Sequence, residues 1–540
     1  MSFDLTDLNG RKIYEREAGI LMPLISLPSK YGIGDLGKEA REFVDILYNS
    51  KQQLWAMLPN GPVGYGNSPY QSISSCAGNH YIISPELLIE DGLLTHNEVR
   101  QFDFGTNPEQ IDYGKLFDNR AKMLKIAYKR WLKEGGHNSQ EFLTFKYRNY
   151  SWLQDYAMYM YLKEKNKHKA WFDWDEKLKN HDKSTLVKER QNHAEDIGFW
   201  EFTQYQFFKQ WAKLKEYANQ KGIKIIGDIP FYINHDSSDV WAHRELFELN
   251  SDGSIKLFSG LPGENGGMDI RWGNPCYNWH NLKTENYTWL AQRIEKNAEL
   301  YDIMRIDHAI AFVHYYGIKQ LGERGTWYEG PDMFRRSATD VIDAVARQKK
   351  MDIIVENLGN NIQRTHDLYD QLNWIGMRIF NYTVGEMYYG TRNIHLPCLY
   401  AQNIAAYTGT HDNETLTGLL ATKSDKELEY IMSYLNVKSR KEILWGAIDT
   451  LYKSAACKVI LPIQDVLSLD NKSRVCYRDN FEKSWLWRLK NFDNFDEKIQ
   501  KRLNGLAVIS ARGGMSDERI NAQGWQQIFH QAVGDRYGNY

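Results

Sequence analysis

Short apolar runs recur along the chain, and each ends in polar or glycine-rich residues. Stretches with the 3.6-residue period of an amphipathic helix separate most of them, for example 38–49 and 337–350. A strand buried on both faces of a parallel sheet forms such a continuous apolar run rather than an alternating one. The eight runs cover residues 20–24, 54–59, 223–229, 302–306, 351–355, 376–382, 404–408 and 458–462. Eight strands alternating with helices predict an α/β fold, a (β/α)8 TIM barrel.

The runs are unevenly spaced, because the second and third lie too far apart for one crossover helix. We predict a mainly helical subdomain inserted over 80–222 and a second insertion, over 234–296, above the open end of the barrel. The chain, 1–540, is otherwise predicted to be a single barrel without a separate C-terminal β-domain. Helical patterns in the first insertion and after the eighth run cover 118–133, 141–166, 198–221, 484–490, 495–503 and 522–532.

The charge balance excludes several classes of protein. The 540 residues contain 67 Lys and Arg against 69 Asp and Glu, a formal net charge of −2. Nucleic-acid-binding proteins usually carry a strong basic excess, so no nucleic-acid partner is expected. The sequence has no run of about 18 apolar residues, and residues 1–10 are acidic and polar. We therefore expect neither a membrane partner nor a signal peptide.

The five cysteines are scattered along the chain without a C-x-x-C pair. This usage is typical of free thiols in a reducing compartment, so we predict a cytoplasmic protein without structural zinc. Neither a metal ion nor an organic cofactor is predicted. The oligomeric state is not indicated by the sequence.

Aromatic residues make up 14% of the chain, which is a heavy load. Many of them recur at helical spacing in the 80–222 insertion, where packing between helices explains them. Aromatic faces also stack on sugar rings, so part of this load is available for binding.

Carboxylates follow three of the predicted strands, at the end of a barrel where catalytic groups lie. Asp307 follows the fourth run, Glu356 the fifth and Asp412 the seventh. We expect all three to converge, and paired carboxylates are the machinery of glycosidic bond chemistry.

The neighbours of these carboxylates suggest different roles. Arg305 lies two residues before Asp307, on the same side of the strand, and would keep Asp307 ionised as the nucleophile. Glu356 has only Asn357 beside it and no cation, so we expect a raised pKa and an acid/base role. Asp412, beside His411, is expected to bind sugar hydroxyls and to stabilise an oxocarbenium ion.

Longer motifs around these residues resemble those of glycoside hydrolase family 77, the 4-α-glucanotransferases, over nearly the whole chain. They are PVGYGNSPYQ (62–71), GDIP (227–230), VWAH (240–243), RWGNP (271–275), RIDH (305–308), TGTHDN (408–413) and PIQDVL (462–467). Each motif alone is weakly specific, whereas their order along the predicted strands is highly specific.

The resemblance implies transfer of α-1,4-glucan segments from a donor maltooligosaccharide to the 4-hydroxyl of an acceptor glucose or glucan. It implies a retaining double displacement with Asp307 as nucleophile, Glu356 as general acid/base and Asp412 as transition-state stabiliser. The implied partners are α-1,4-glucans, namely maltooligosaccharides and dextrins from starch or glycogen. The implied substrate-binding residues are Tyr65, Ser68, Tyr70, Asp228, Trp272, Arg305, His308 and His411.

The sequence departs from the family pattern outside the three carboxylates. Where the family carries an aromatic pair before RWGNP, this chain has LPGENGGM over 261–268. After RIDH the family's F-R-G-F is A-I-A-F over 309–312, and Cys476 replaces an asparagine of the family. We therefore expect altered acceptor handling.

Two other functions stay open: an amylase-like α-1,4-glucan hydrolase with weak transfer, and a catalytically impaired glucan-binding protein. At the level of single residues, Tyr65 and Tyr70 fit simple loop packing, and Trp272 fits a cover for the insertion. His411 also fits a purely structural histidine.

Overall fold

A computed structural model describes residues 14–263, 267–320, 322–359, 363–386, 393–477 and 480–513. The strands within this part of the chain are β1 Glu17–Leu21, β2 Leu54–Ala56, β3 Lys224–Ile229, β4 Phe258–Leu261, β5 Ile270–Pro275, β6 Ile303–Ile306, β7 His314–Ile318, β8 Thr326–Glu329, β9 Asp352–Val355, β10 Ile375–Ile379, β11 Ile404–Tyr407 and β12 Lys458–Pro462.

Eight of these strands form a closed parallel barrel in the order β1-β2-β3-β6-β9-β10-β11-β12, with β12 returning to β1. Each of the eight strands overlaps one of the predicted apolar runs. The predicted (β/α)8 barrel is therefore confirmed. Residues of β1, β11 and β12 are buried throughout, which is why these strands are continuous apolar runs.

Helices surround the barrel and fill the long connection between β2 and β3. They are α1 Lys38–Asn49, α2 Pro85–Glu90, α3 His96–Val99, α4 Tyr113–Lys133, α5 Gln140–Arg148, α6 Tyr150–Lys165, α7 Glu176–Lys179, α8 Lys183–Asn192, α9 Ala194–Gln220, α10 Ser238–Ala242, α11 Trp279–Thr284, α12 Thr288–Leu300, α13 Ala338–Lys349, α14 Gln363–Leu372, α15 Asn381–Glu386, α16 Leu416–Ala421, α17 Asp425–Leu435, α18 Ile443–Lys453, α19 Ile463–Val466 and α20 Glu497–Ile509.

The connection from β2 to β3 is helical, as predicted, and α4, α5, α6 and α9 account for its three predicted helical patterns. Its aromatic side chains pack these helices together; Trp131, for example, contacts the rings of Tyr128, Phe142 and Phe202. Helix α9 also packs on α1 and β3, so it belongs to the outer layer of the barrel as well. The subdomain limits 80–222 and 234–296 stay predictions.

A second sheet lies beside the barrel, and the sequence pattern did not predict it. It is antiparallel, in the order β5-β4-β7-β8. Strands β4 and β5 lie within the predicted 234–296 insertion, and β7 and β8 follow β6; no strand was predicted in either place. The sequence signal was weak for β7 and β8 because β8 is largely exposed and both strands are short.

The predicted helix over 484–490 is wrong. This segment is irregular, and Trp487 forms an isolated bridge with Gln110. Its buried apolar residues, Trp485, Trp487 and Leu489, recur every second position rather than at a helical period. The predicted 495–503 helix is confirmed within α20, and the predicted 522–532 helix lies outside the described residues.

The amino-terminal ends of the barrel strands carry a buried ion-pair network. Glu17 of β1 bonds Lys458 of β12, and its Oε1 accepts from Lys224 Nζ of β3 at 2.7 Å. Burial acts to raise the pKa of Glu17, but the two ammonium groups outweigh it and lower the value. Arg512 bridges β1 and β12 at the same end of the barrel, because its guanidinium donates to the carbonyls of Glu17 and Cys457.

Candidate active site

Four charged residues meet at the carboxyl-terminal end of the barrel, which we call the mouth. Asp228 lies on β3, Arg305 on β6, Asp307 directly after β6 and Glu356 directly after β9. These three strands are neighbours in the barrel, so the side chains at their ends are brought together by the strand order.

Arg305 is the centre of this group, and its side chain is only 8% exposed. Its Nη1 donates to both oxygens of Asp228, at 2.7 and 2.6 Å, and to Asp307 Oδ1 at 3.0 Å. Its Nη2 donates to Glu356 Oε2 at 2.8 Å. One fixed guanidinium therefore positions three carboxylates from three strands.

The expectation that Glu356 has no cation beside it is wrong, because Arg305 reaches across from β6. Burial tends to raise the pKa of Glu356, but Arg305 and the backbone N–H of His308 outweigh it and lower the value to about 2. Burial and the charge of Glu356 raise the pKa of Asp307 well above its usual range, against the opposing effect of Arg305. The two carboxyls therefore influence each other's pKa as well as sharing Arg305.

The carboxyl groups of Asp307 and Glu356 lie side by side, because they bond the two terminal nitrogens of one guanidinium, Nη1 and Nη2 of Arg305. An inverting glycosidase separates its two carboxyls by roughly 6.5–9.5 Å to admit a water molecule. A pair gathered on one guanidinium is instead the arrangement expected of a retaining enzyme.

His308 joins the pair to an aromatic wall. Its backbone has a left-handed φ of 44°, which turns the chain sharply after β6 and lets its N–H donate to Glu356 Oε2 at 3.0 Å. Burial lowers the pKa of the imidazole to about 4, so the ring is neutral. The Nε2 atom is buried and has no hydrogen-bond partner within the described residues. The Trp272 ring meets the imidazole edge-on at 4.8 Å.

Tyr70 and His411 form a second wall. The Tyr70 hydroxyl donates to Asp228 Oδ2 at 2.7 Å, and its ring stacks on His411 at 5.0 Å. His411 Nε2 lies 3.4 Å from Asp412 Oδ1. Trp485 completes this wall, 5.9 Å from Tyr70 and 6.0 Å from His411. Trp485 was missed because a helix was predicted over its segment.

Asp412 stands apart from the Arg305 group. Its side chain is 41% exposed, and no bond joins it to Arg305 among the described contacts. Its own backbone carbonyl accepts from Arg474 Nη2 at 3.4 Å. The third predicted carboxylate is therefore held on the second wall, open to solvent.

The 62–71 loop is a tight turn in which Asn67 has a φ of 59° and Gly66 a φ of 89°. Ser68 caps the short 3-10 helix that carries Tyr70, because its Oγ accepts from the Tyr70 N–H. Tyr65 is fully exposed and contacts neither wall. Of the predicted binding residues, the structure thus brings Tyr70, Asp228, Trp272, Arg305, His308 and His411 together, while Ser68 supports Tyr70 and Tyr65 lies outside.

Asp269 ties the second sheet together beside the mouth, a connection the sequence did not indicate. Its carboxylate accepts from Gly263 N–H, Gly325 N–H and the Tyr316 hydroxyl. It therefore fixes the glycine-rich loop to the β7–β8 hairpin. Residues 264–266 of that loop lie outside the described residues, and Met268 is almost fully exposed.

Asp465, in the PIQDVL motif, is buried below the 408–413 loop and accepts from the Thr408 hydroxyl and the Leu416 N–H. Burial raises its pKa to about 6 despite these two bonds. A carboxyl whose folded pKa is raised favours the protonated form. Its contribution to stability is fully present below about pH 4 and is lost as the pH rises through about 6.

Asp465→Asn is expected to remove this pH dependence. Between pH 4.5 and 7.5 the wild type should lose roughly 2 kcal/mol of unfolding free energy through this group, and the variant should not. Urea unfolding of both proteins at the two pH values measures this difference. A difference between the two proteins that is independent of pH would contradict it.

Groups of three or more His, Cys, Asp or Glu side chains placed to hold a metal ion do not occur in the described residues. Nor does any helix in that part of the chain have the length and apolar character needed to cross a membrane.

The chain forms a closed parallel barrel, and at its mouth Arg305 holds a pair of carboxylates in the arrangement of a retaining enzyme. These features define the class of barrel enzymes that break and form glycosidic bonds. A sequence model described as 4-alpha-glucanotransferase, glycoside hydrolase family 77, matches residues 22–494. The chain belongs to this family, and its activity is that of the family, 4-alpha-glucanotransfer, which makes it a hexosyltransferase.

Two relatives and one solved structure support this assignment over nearly their whole length. The chain is 37% identical over 503 residues to a 4-alpha-glucanotransferase of Clostridium butyricum, covering 91% of this chain and 100% of that one. It is 34% identical over 505 residues to one of Streptococcus pneumoniae, covering 92% and 98%. The structure of an amylomaltase from Streptococcus agalactiae in complex with acarbose superposes with a TM-score of 0.86 at 33% identity, covering 93% of this chain and 100% of that one.

Proposed function

We propose that the chain acts on α-1,4-glucans by a retaining double displacement, with Asp307 as nucleophile and Glu356 as general acid/base. The observation that carries this proposal is the Arg305 clamp, which holds both carboxyls at one point of the mouth. A similar structure supports the same proposal, since the Streptococcus agalactiae amylomaltase is in complex with acarbose.

In the first step, an oxygen of Asp307 attacks the anomeric carbon of the donor, and the bond to the leaving sugar breaks. Glu356 gives its proton to the leaving oxygen, and a covalent glycosyl-enzyme forms. In the second step, Glu356 takes the proton of an acceptor 4-hydroxyl, which attacks the anomeric carbon and releases Asp307. One glycosidic bond is broken and one is formed, so no external energy source is required.

The first step requires a proton on Glu356 and an ionised Asp307, and Arg305 bonds both carboxyls. A bound sugar places its glycosidic oxygen against Glu356 and its anomeric carbon, which gains positive charge, against Asp307. Both changes favour an ionised Asp307 and a protonated Glu356.

The two walls supply binding and transition-state stabilisation. Asp412, held by His411, places a negative charge where the ring of the donor sugar develops positive charge. The half-buried rings of Trp272 and Tyr70 are placed to stack on sugar rings. Asp228, which is 3% exposed, accepts from both Arg305 and the Tyr70 hydroxyl and so fixes these two side chains relative to each other.

Incubation with maltotriose separates transfer from the hydrolase alternative. Transfer yields glucose together with a ladder of longer maltooligosaccharides, while the total of reducing ends stays constant. Hydrolysis yields glucose and maltose, and reducing ends rise with every bond lost. Chromatography of the products with a parallel reducing-end assay distinguishes the two, and a rise in reducing ends without a ladder would refute the proposal.

A further inference from the structure

The β7–β8 hairpin carries an aromatic side chain to which the mechanism assigns no role. Trp327 of β8 is 50% exposed, although it is large and apolar. Its ring is held edge-on by two others, His314 at 5.1 Å and Tyr316 at 5.3 Å. The next residue, Tyr328, points the opposite way and stacks on Tyr315 at 5.4 Å. The indole is therefore fixed by its neighbours while half of its surface stays open.

The hairpin that carries this indole is joined to the mouth. Strand β7 follows His308 after one short 3-10 helix, Ala309–Phe312, and His308 contacts both Glu356 and the Trp272 ring. Strand β5, which carries Trp272, belongs to the same sheet as β8. Asp269 adds a rigid connection, since it bonds Gly325 of the hairpin and Gly263 of the loop beside Trp272.

Polar groups surround the open half of the indole. Glu329 is paired directly across the strands from His314, and Trp327 is paired with Tyr316, so all four side chains share one face of the hairpin. Glu329 is exposed and supplies a carboxylate acceptor, while the half-buried His314 supplies ring nitrogens. A flat apolar face with hydrogen-bonding groups at its edge matches a pyranose ring, which has an apolar C–H face and hydroxyls around its rim.

We propose that Trp327, with His314 and Glu329 at its edge, forms an outer subsite that binds a glucosyl unit of a long α-1,4-glucan beyond the sugars held at Trp272. This inference rests on the proposed function, since the occupant is the distal part of the same substrate. A single indole amid polar side chains is too small and too polar for a protein interface, which needs a wide, well-packed apolar centre.

The test compares Trp327→Ala with the wild type on maltotriose and on maltoheptaose. Removing the Trp327 indole is expected to lower kcat/KM for maltoheptaose about tenfold. The loss should be much smaller for maltotriose, which is too short to span both the sugars held at Trp272 and the outer subsite. Trp327→Phe keeps a stacking ring and should restore most of the maltoheptaose rate. Tyr147→Ala is the matched control, because Tyr147 is an exposed aromatic residue of α5, away from the mouth.

If Trp327→Ala lowers kcat/KM equally for maltotriose and maltoheptaose, or for neither, the proposed outer subsite is overturned. Failure of the proposed function is distinguishable, because the wild type would then produce no maltooligosaccharide ladder from maltotriose. Thermal unfolding of each variant identifies misfolding, and Trp327→Phe provides an independent readout if Trp327→Ala is unstable.

Discussion

Asp307→Asn is expected to lower kcat for maltotriose disproportionation by roughly 10⁴-fold or more. The substitution keeps the shape of the side chain but removes the oxygen nucleophile, so the covalent intermediate cannot form. Arg305 would still hold Asp228 and Glu356, so the mouth should keep its geometry and bind glucan. Asp425→Asn is the matched control, because Asp425 is an exposed residue of α17, and it should keep full activity.

A fluoride donor separates the roles of the two carboxyls. Fluoride leaves without a proton, so α-maltotriosyl fluoride does not need the acid in the first step. Glu356→Ala should therefore react with this donor far faster than with maltotriose, whereas Asp307→Asn should be inactive with both. Rapid-quench measurement of fluoride release reports the first step alone. Activity of Asp307→Asn with the fluoride would contradict its role as nucleophile.

Glu17→Met is expected to lower the free energy of unfolding by about 3–5 kcal/mol. The substitution leaves the ammonium of Lys458, which is 3% exposed, without its close carboxylate, and Asp352 lies 3.7 Å away. Lys224 is 40% exposed and can recover water, so the buried Lys458 accounts for most of the loss. Urea unfolding measures the change.

A double-mutant cycle tests the physical reason. Glu17→Met combined with Lys458→Met removes both buried charges, so this protein should be considerably more stable than either single variant. Glu15→Met is the control, because Glu15 also pairs with Lys224 but is 60% exposed, and it should cost less than about 1 kcal/mol. If the losses of unfolding free energy in the two single variants simply add in the double variant, the proposed coupling between Glu17 and Lys458 is contradicted.

Much of the fold followed from the sequence because burial on both faces makes each barrel strand a continuous apolar run. The convergence of Asp307 and Glu356 followed as well, since parallel strands place their ends at one edge. Arg305 beside Asp307 was predictable from the two-residue strand period. Each of these inferences requires only residues that are close in sequence or the order of the strands along the chain.

The errors share one cause, which is contact between residues distant in sequence. The bond from Arg305 to Glu356 crosses between strands, so the neighbours of Glu356 along the chain could not indicate its pKa. Trp485 packs on Tyr70 although the two lie far apart in sequence. Strand β7 is stabilised by pairing with β4, and β8 by pairing with β7, so the sequence pattern of each strand alone is too short to indicate the sheet.

The barrel closes between its first and last strands, and this determines when it can fold during synthesis. Strand β1 leaves the ribosome long before its partner β12, because Lys458 follows Glu17 by 441 residues. Until β12 emerges, Glu17 has no Lys458, and one edge of β1 stays unpaired. The helical segment between β2 and β3, rich in local contacts, can pack long before. The nascent chain therefore carries a folded helical part beside an open sheet until β12 arrives.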